Sequence, residues 1–194
     1  MVSSTGWGSA AADAAGFPET NEGCVGITLA VPEPLAGTLA ERRASFGDPM
    51  ASVVPPHVTL VTTTPATDWD ATIEHVREVA RTQQPFRVRL RSTGSFRPSS
   101  PVVYLNLVEG FEQCIDLHRR LQAGPLEREL EFPFHPHVTV AHDVSSAAMD
   151  EALDQLDDFE ASFDVRSMGL YEHLPSGLWK LREELRFGED ADGS

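Results

Sequence analysis

Two short segments of this chain repeat one chemistry-bearing pattern. Pro56-His57-Val58-Thr59-Leu60 stands against Pro136-His137-Val138-Thr139-Val140, with the two histidines 80 residues apart. On a β-strand, side chains i and i+2 share a face, roughly 6.5–7 Å apart along the strand. His57 and Thr59 therefore project together, while Val58 and Leu60 point into the opposite, apolar layer. The same holds for His137 with Thr139 and for Val138 with Val140. If the two strands meet about a pseudo-two-fold axis, they offer two imidazoles and two hydroxyls across one cleft. Histidine titrates near pH 6.5, so one ring can take a proton while the other gives one. Threonine hydroxyls can donate to oxygens on which charge spreads in a transition state. In-line displacement at a phosphodiester needs such a set: a base for the nucleophile, an acid for the leaving oxygen and donors for the non-bridging oxygens. It requires no metal or cofactor.

The elements that must carry these segments are legible as a repeat of whole units. Cys24 to Val31 alternates at period two as a strand, and Pro34 to Phe46 reads as a helix stopped by Gly47. His57 to Thr63 is a second strand, Asp68 an N-cap for a helix to about Gln83, and Phe86 to Phe96 a third strand. The second half follows suit. It has a strand over Val102 to Val108 and a helix with Phe111, Cys114, Ile115, His118 and Leu121 on one face, ending by Gly124. Next come a strand over His137 to Ala141 and a helix capped by Ser145 or Ser146. Phe86-Arg87-Val88 and Phe163-Asp164-Val165 occupy matching slots. Strands over about Ser162 to Tyr171 and Gly177 to Phe187, joined by a hairpin at Pro175-Ser176-Gly177, complete the fold. Short, evenly interleaved elements predict an α/β or α+β chain with sheets covered by helices. Residues 1–22 and 188–194 read as tails, the first without periodicity and the second acidic, leaving 23–187 as a single folded domain.

Composition narrows the function classes. The 194 residues carry 15 Lys plus Arg against 30 Asp plus Glu, a formal charge of −15, and the only lysine is Lys180. Tracking a phosphate backbone works by replacing counterions with Lys and Arg, so extended nucleic acid is not an expected partner. The one basic stripe, Arg87, Arg89 and Arg91 on one strand face, reads as defence of an exposed edge or a contact for a short nucleic-acid end. Cys24 and Cys114 are too few for a disulfide framework or a cysteine zinc site. No run reaches the ~20 apolar residues of a membrane span, and the first residues lack a signal-peptide pattern. A cytoplasmic, monomeric protein is expected. His135, His137 and His142 suggest a metal cluster, but strand parity sets His142 on the face opposite His137, so no metal site is expected.

The doubled His-x-Thr segment, each copy on a strand of a duplicated unit, resembles the 2H phosphoesterase superfamily, and within it the bacterial 2′-5′ RNA ligase-like, cyclic phosphodiesterase branch. The likeness spans about residues 23 to 187. It implies an α+β, bilobal (LigT-like) fold of antiparallel-rich sheets flanked by helices about a pseudo-two-fold. It also implies metal-independent hydrolysis of the 2′,3′-cyclic phosphates of nucleotides or RNA ends to 2′-phosphates. His57, Thr59, His137 and Thr139 are then the catalytic positions. The resemblance leans to His57 as acid and His137 as base, an order that the pseudo-symmetry leaves open. Arg97, Tyr171, Trp179 and His135 are candidate substrate contacts: Arg97 for a phosphate, the two aromatics for a base, His135 for the cleft rim. A small cyclic-phosphate nucleotide or short RNA end is the expected partner. Ligation of RNA ends through a 2′-5′ bond and nucleotide binding without turnover are the alternatives.

Overall fold

The computed structural model describes residues 23–174 and 179–188. Eight strands and four helices follow one another as β1 (Cys24–Ala30), α1 (Leu35–Ser45), β2 (His57–Pro65), α2 (Trp69–Thr82), β3 (Phe86–Ser95), β4 (Val102–Glu109), α3 (Phe111–Leu121), β5 (His137–His142), α4 (Ser146–Leu156), β6 (Glu160–Val165), β7 (Ser167–His173) and β8 (Trp179–Arg186). A 3-10 turn, Gly124–Leu126, follows α3. The caps are those the sequence predicts. The Asp68 carboxylate accepts the Ala71 N–H at 2.9 Å and the Ser145 hydroxyl accepts the Ala148 N–H at 3.2 Å.

All strands pair antiparallel in one sheet of order β6-β3-β4-β5-β2-β1-β7-β8. It divides into two four-stranded lobes that meet only where β2 lies beside β5, through the pair Val58↔Val138. The pseudo-two-fold passes between these strands. Helices respect it: α1 packs on β5 and α3 on β2, while α2 lies against β7 and β8 and α4 against β3 and β4. Beneath the sheet Ile27, Leu29, Val58, Leu60, Leu105, Val138, Val140 and Leu170 are at most 1% exposed, closed over by Leu39, Val76, Leu117 and Leu156 from the helices. This layer fixes strand register, because a one-residue slip would turn the whole apolar set outward.

Three expectations change. The stretch from Ser162 to Tyr171 is two strands, broken at Arg166, with β6 in one lobe and β7 in the other. The two Phe-x-Val segments are not symmetry mates but neighbours, with Phe86 opposite Val165 and Val88 opposite Phe163. Each half thus gives a strand to the other: β3 pairs with β4 and β7 with β1. Finally β3 is not an edge, since β6 covers it. Arg87 and Arg89 meet Asp164 and Glu160 of that covering strand. The hairpin expected at Pro175-Ser176-Gly177 and the tails expected at 1–22 and 188–194, Gly188 apart, lie outside the described residues. No described helix is long and apolar enough to cross a membrane.

Candidate active site

The central strand pair builds the site. With Val58 opposite Val138 in antiparallel register, His57 falls opposite Thr139 and Thr59 opposite His137. Each histidine thus faces the threonine of the other lobe, and the imidazoles occupy diagonal corners of a four-residue patch. All four side chains are partly exposed, whereas Val58 and Val138 between them are 0% exposed. Immediately after each threonine the strand bulges, at Leu60-Val61 in β2 and at Val140-Ala141 in β5. Two consecutive residues enter the core, so the next side chain returns to the site face. These are Thr62 and His142. The parity argument that set His142 opposite His137 therefore fails at the bulge: His142 pairs with Val102, which shares a face with Tyr104 and Thr139. Among the described residues no group of three His, Cys, Asp or Glu side chains is disposed to hold a metal ion.

The two imidazoles are held alike. His57 Nδ1–H donates to the Pro55 carbonyl and His137 Nδ1–H to the His135 carbonyl, both at 2.7 Å. A carbonyl only accepts, so the bond fixes the tautomer and makes Nε2 the basic nitrogen of each neutral ring. Burial of the surrounding ring atoms holds His57 down at about 4 against the opposing pull of its Pro55 bond, and the charges of Arg43 and His137 lower it further. Burial likewise takes His137 to about 4, with a further contribution from His135. Both rings are therefore neutral at pH 7 in the free protein, rather than split about pH 6.5. A phosphate anion between them is the opposite charge that would bring a proton back. In NMR titrations the two Cε1–H resonances should move with midpoints near pH 4 and shift upward when inorganic phosphate is added. Midpoints above 6 for both would contradict this electrostatic picture. The unfolded chain binds these protons already below about pH 6.5, so stability should fall with pH through the window from 6.5 to 4.

Around this centre the lobes differ. On the β5 side, Phe96 and Tyr104 close on His137 with ring centroids 4.9 and 5.2 Å away. His135 sits behind them in a box of Phe96, Tyr104 and Phe111, with its Nε2 buried and unpartnered. His135 thus serves the site through its carbonyl and its packing rather than from the rim. On the β2 side a shallow open hollow is lined by Gly26, Thr28, Thr59, Thr62, Tyr171 and Trp179, among others. Trp179 comes close enough to Gly26 that a β-carbon there would meet its ring at 3.1 Å, so a larger residue fits only if the indole moves aside by a few tenths of an ångström. Tyr171 and Trp179 line this hollow together with Thr59. Arg97 is instead bonded to Asp150 of α4 at 2.7 Å. Sequence reasoning missed Thr28, Thr62, Phe96 and Tyr104. Thr28 and Tyr104 had one signal, a place on the strand face opposite the apolar alternation; Thr62 and Phe96 had none, since an unbroken period of two sets them on the apolar face. His118 is an architectural residue, stacked on Phe134 at 3.8 Å and donating from Nδ1 to the Leu60 carbonyl at the bulge.

A family model described as the 2′-5′ RNA ligase superfamily matches residues 31–176. A Bacillus pumilus protein provisionally named a phosphoesterase is 36% identical over 149 residues, covering 74% of this chain and 85% of its own. A similarly named Oceanobacillus iheyensis protein is 29% identical over 147 residues, covering 74% and 86%. Among solved structures, Escherichia coli LigT complexed with 3′-AMP superposes with a TM-score of 0.64 at 20% identity, over 86% of this chain and 98% of that one. A Thermus thermophilus protein gives 0.62 at 23% identity, over 86% and 99%.

Proposed function

Since the chain belongs to the 2′-5′ RNA ligase superfamily of 2H phosphoesterases, we propose that it hydrolyses the 2′,3′-cyclic phosphates of nucleotides or short RNA ends to 2′-phosphates. The observation that carries this reading is the diagonal His/Thr patch, each imidazole tautomer-locked by a carbonyl two residues upstream. One histidine takes a proton from water through Nε2 as the oxygen attacks phosphorus. The P–O3′ bond opposite the attacking oxygen breaks, and the other histidine gives its proton to the departing O3′. Water supplies the new P–O bond, so atoms and protons balance without another reactant. Thr59 and Thr139 donate to the two non-bridging oxygens. The resemblance leans to His57 as the acid and His137 as the base.

In this reading Trp179 and Tyr171 stack the base, since aromatic faces accept any base without hydrogen-bond readout. Escherichia coli LigT has been crystallised with 3′-AMP, ATP and NADP+, which fits a small nucleotide ligand. Long RNA fits less well. The chain carries −15, and Arg87, Arg89 and Arg97 are engaged with Asp164, Glu160 and Asp150. The test is turnover of the four nucleoside 2′,3′-cyclic phosphates in the presence of EDTA, with phosphorus NMR of the product. A 2′-phosphate is expected. A folded protein that turns over none of the four would overturn the assignment.

A further inference from the structure

The helix α1 carries one charge into the interior. Arg43 is 4% exposed and Asp48, just beyond the helix, 5%. Arg43 Nε and Nη2 donate to Asp48 Oδ2 at 3.1 and 3.0 Å, and Nη1 donates to the Val54 carbonyl at 2.8 Å. Asp48 Oδ1 in turn accepts the Met50 N–H at 2.8 Å. One guanidinium thus gathers the whole segment from 48 to 54. The next residue, Pro55, supplies the carbonyl that holds His57 Nδ1, and the Pro56 carbonyl accepts the Val31 N–H of the neighbouring segment at 3.1 Å. Stability alone is a weak reason for such a pair, because well-packed apolar residues often serve a buried site as well or better.

The pair also breaks the symmetry of the site. The charged or titratable groups felt by His57 are Arg43 from α1 and His137 from β5. The group felt by His137 is His135, which is itself titratable and which burial holds below its ordinary value. The charge that acts on His57 from its own side is thus a permanent cation, whereas the group that acts on His137 is a titratable ring.

We propose that Arg43 is a positioning residue for His57. Through its buried pair with Asp48 and its bond to Val54 it fixes the segment whose Pro55 carbonyl orients the imidazole. The proposal rests on the reading of His57 as half of the two-histidine centre.

Two variants with opposite expectations test it. Arg43→Met combined with Asp48→Leu replaces the pair by apolar side chains of similar reach. Asp48→Asn keeps the shape and leaves the cation unneutralised. NMR titration of the His57 ring, assigned with His57→Gln, is read together with kcat/KM for a cyclic phosphate. In the double variant the His57 midpoint should rise, the His137 midpoint should stay, and kcat/KM should fall by about 10- to 100-fold from misorientation. In Asp48→Asn the His57 midpoint should move further down. A His57 titration that both folded variants leave unchanged, or shift the same way, would reduce the pair to a structural role and overturn the proposal. If the double variant does not fold, Asp48→Asn decides alone: a downward shift supports the proposal, and no shift or an upward one overturns it. The titration needs no turnover, so failure of the phosphodiesterase reading would show separately, as an inactive wild type.

Discussion

Replacing either His57 or His137 by alanine is expected to lower kcat/KM for a nucleoside 2′,3′-cyclic phosphate by about 10²–10⁴-fold, the range for loss of one general acid or base. The double variant should be scarcely worse than the more damaged single one, because acid and base act on the same transition state and their effects do not add. Steady-state kinetics of the three variants, with melting curves as a folding control, decide the matter. The free-protein titrations give the experiment a second handle. Burial holds both rings near 4, so the fraction carrying the needed proton falls as pH rises above that value. kcat/KM, which reports the free enzyme, should therefore fall between pH 5 and 8. In the profile of kcat the alkaline limb should lie higher, because the bound phosphate raises one imidazole. Loss of a single histidine with no change in either profile would mean that the rings bind rather than transfer protons.

Much of this site was legible in the sequence because it depends on local period. The His-x-Thr spacing places two side chains on one strand face whatever the rest of the chain does. The second copy supplies the partner, and the alternating valines declare which face is core. Periodicity says nothing, however, about which strand pairs with which. Phe86-Arg87-Val88 and Phe163-Asp164-Val165 look alike because both are half-buried strands, and the exchange of strands between halves is made by α2, which carries the chain from β2 to β3, and by the break at Arg166, which carries it from β6 to β7. The bulges had a readable sign, the consecutive apolar residues Leu60-Val61 and Val140-Ala141 just after each threonine. An unbroken period of two hid it, and with it the return of His142 to the site face. Arg43 likewise stood in the sequence as a charged residue on the apolar stripe of a helix. Only the fold shows that Asp48 and the Val54 carbonyl meet it there. The depressed histidines are further still from sequence, since burial is a property of everything packed around a ring.

Valine in place of Thr59 or Thr139 tests the other half of the chemistry. The substitution removes a hydroxyl at nearly constant shape, and valine suits a strand at least as well as threonine, so folding stability should hold. If each hydroxyl donates to a non-bridging oxygen as charge gathers on it, kcat should fall by about 10²–10³-fold, as for loss of one donor to a developing oxyanion. KM should change far less, because the ground-state diester carries its charge more diffusely. Thr59→Ser and Thr139→Ser should recover most of the loss. The alternative, that the hydroxyls simply bind phosphate, predicts a raised KM with kcat intact, since uniform binding adds nothing to the chemical step. The register sharpens the comparison. Thr59 lies opposite His137 and Thr139 opposite His57, so each variant alters the surroundings of one imidazole and leaves the other lobe's pair in place. Two losses of similar size would mean that the phosphoryl group sits centrally on the pseudo-two-fold. Unequal losses would instead place it nearer the threonine whose removal costs more, and so identify which histidine stands in line with the leaving oxygen.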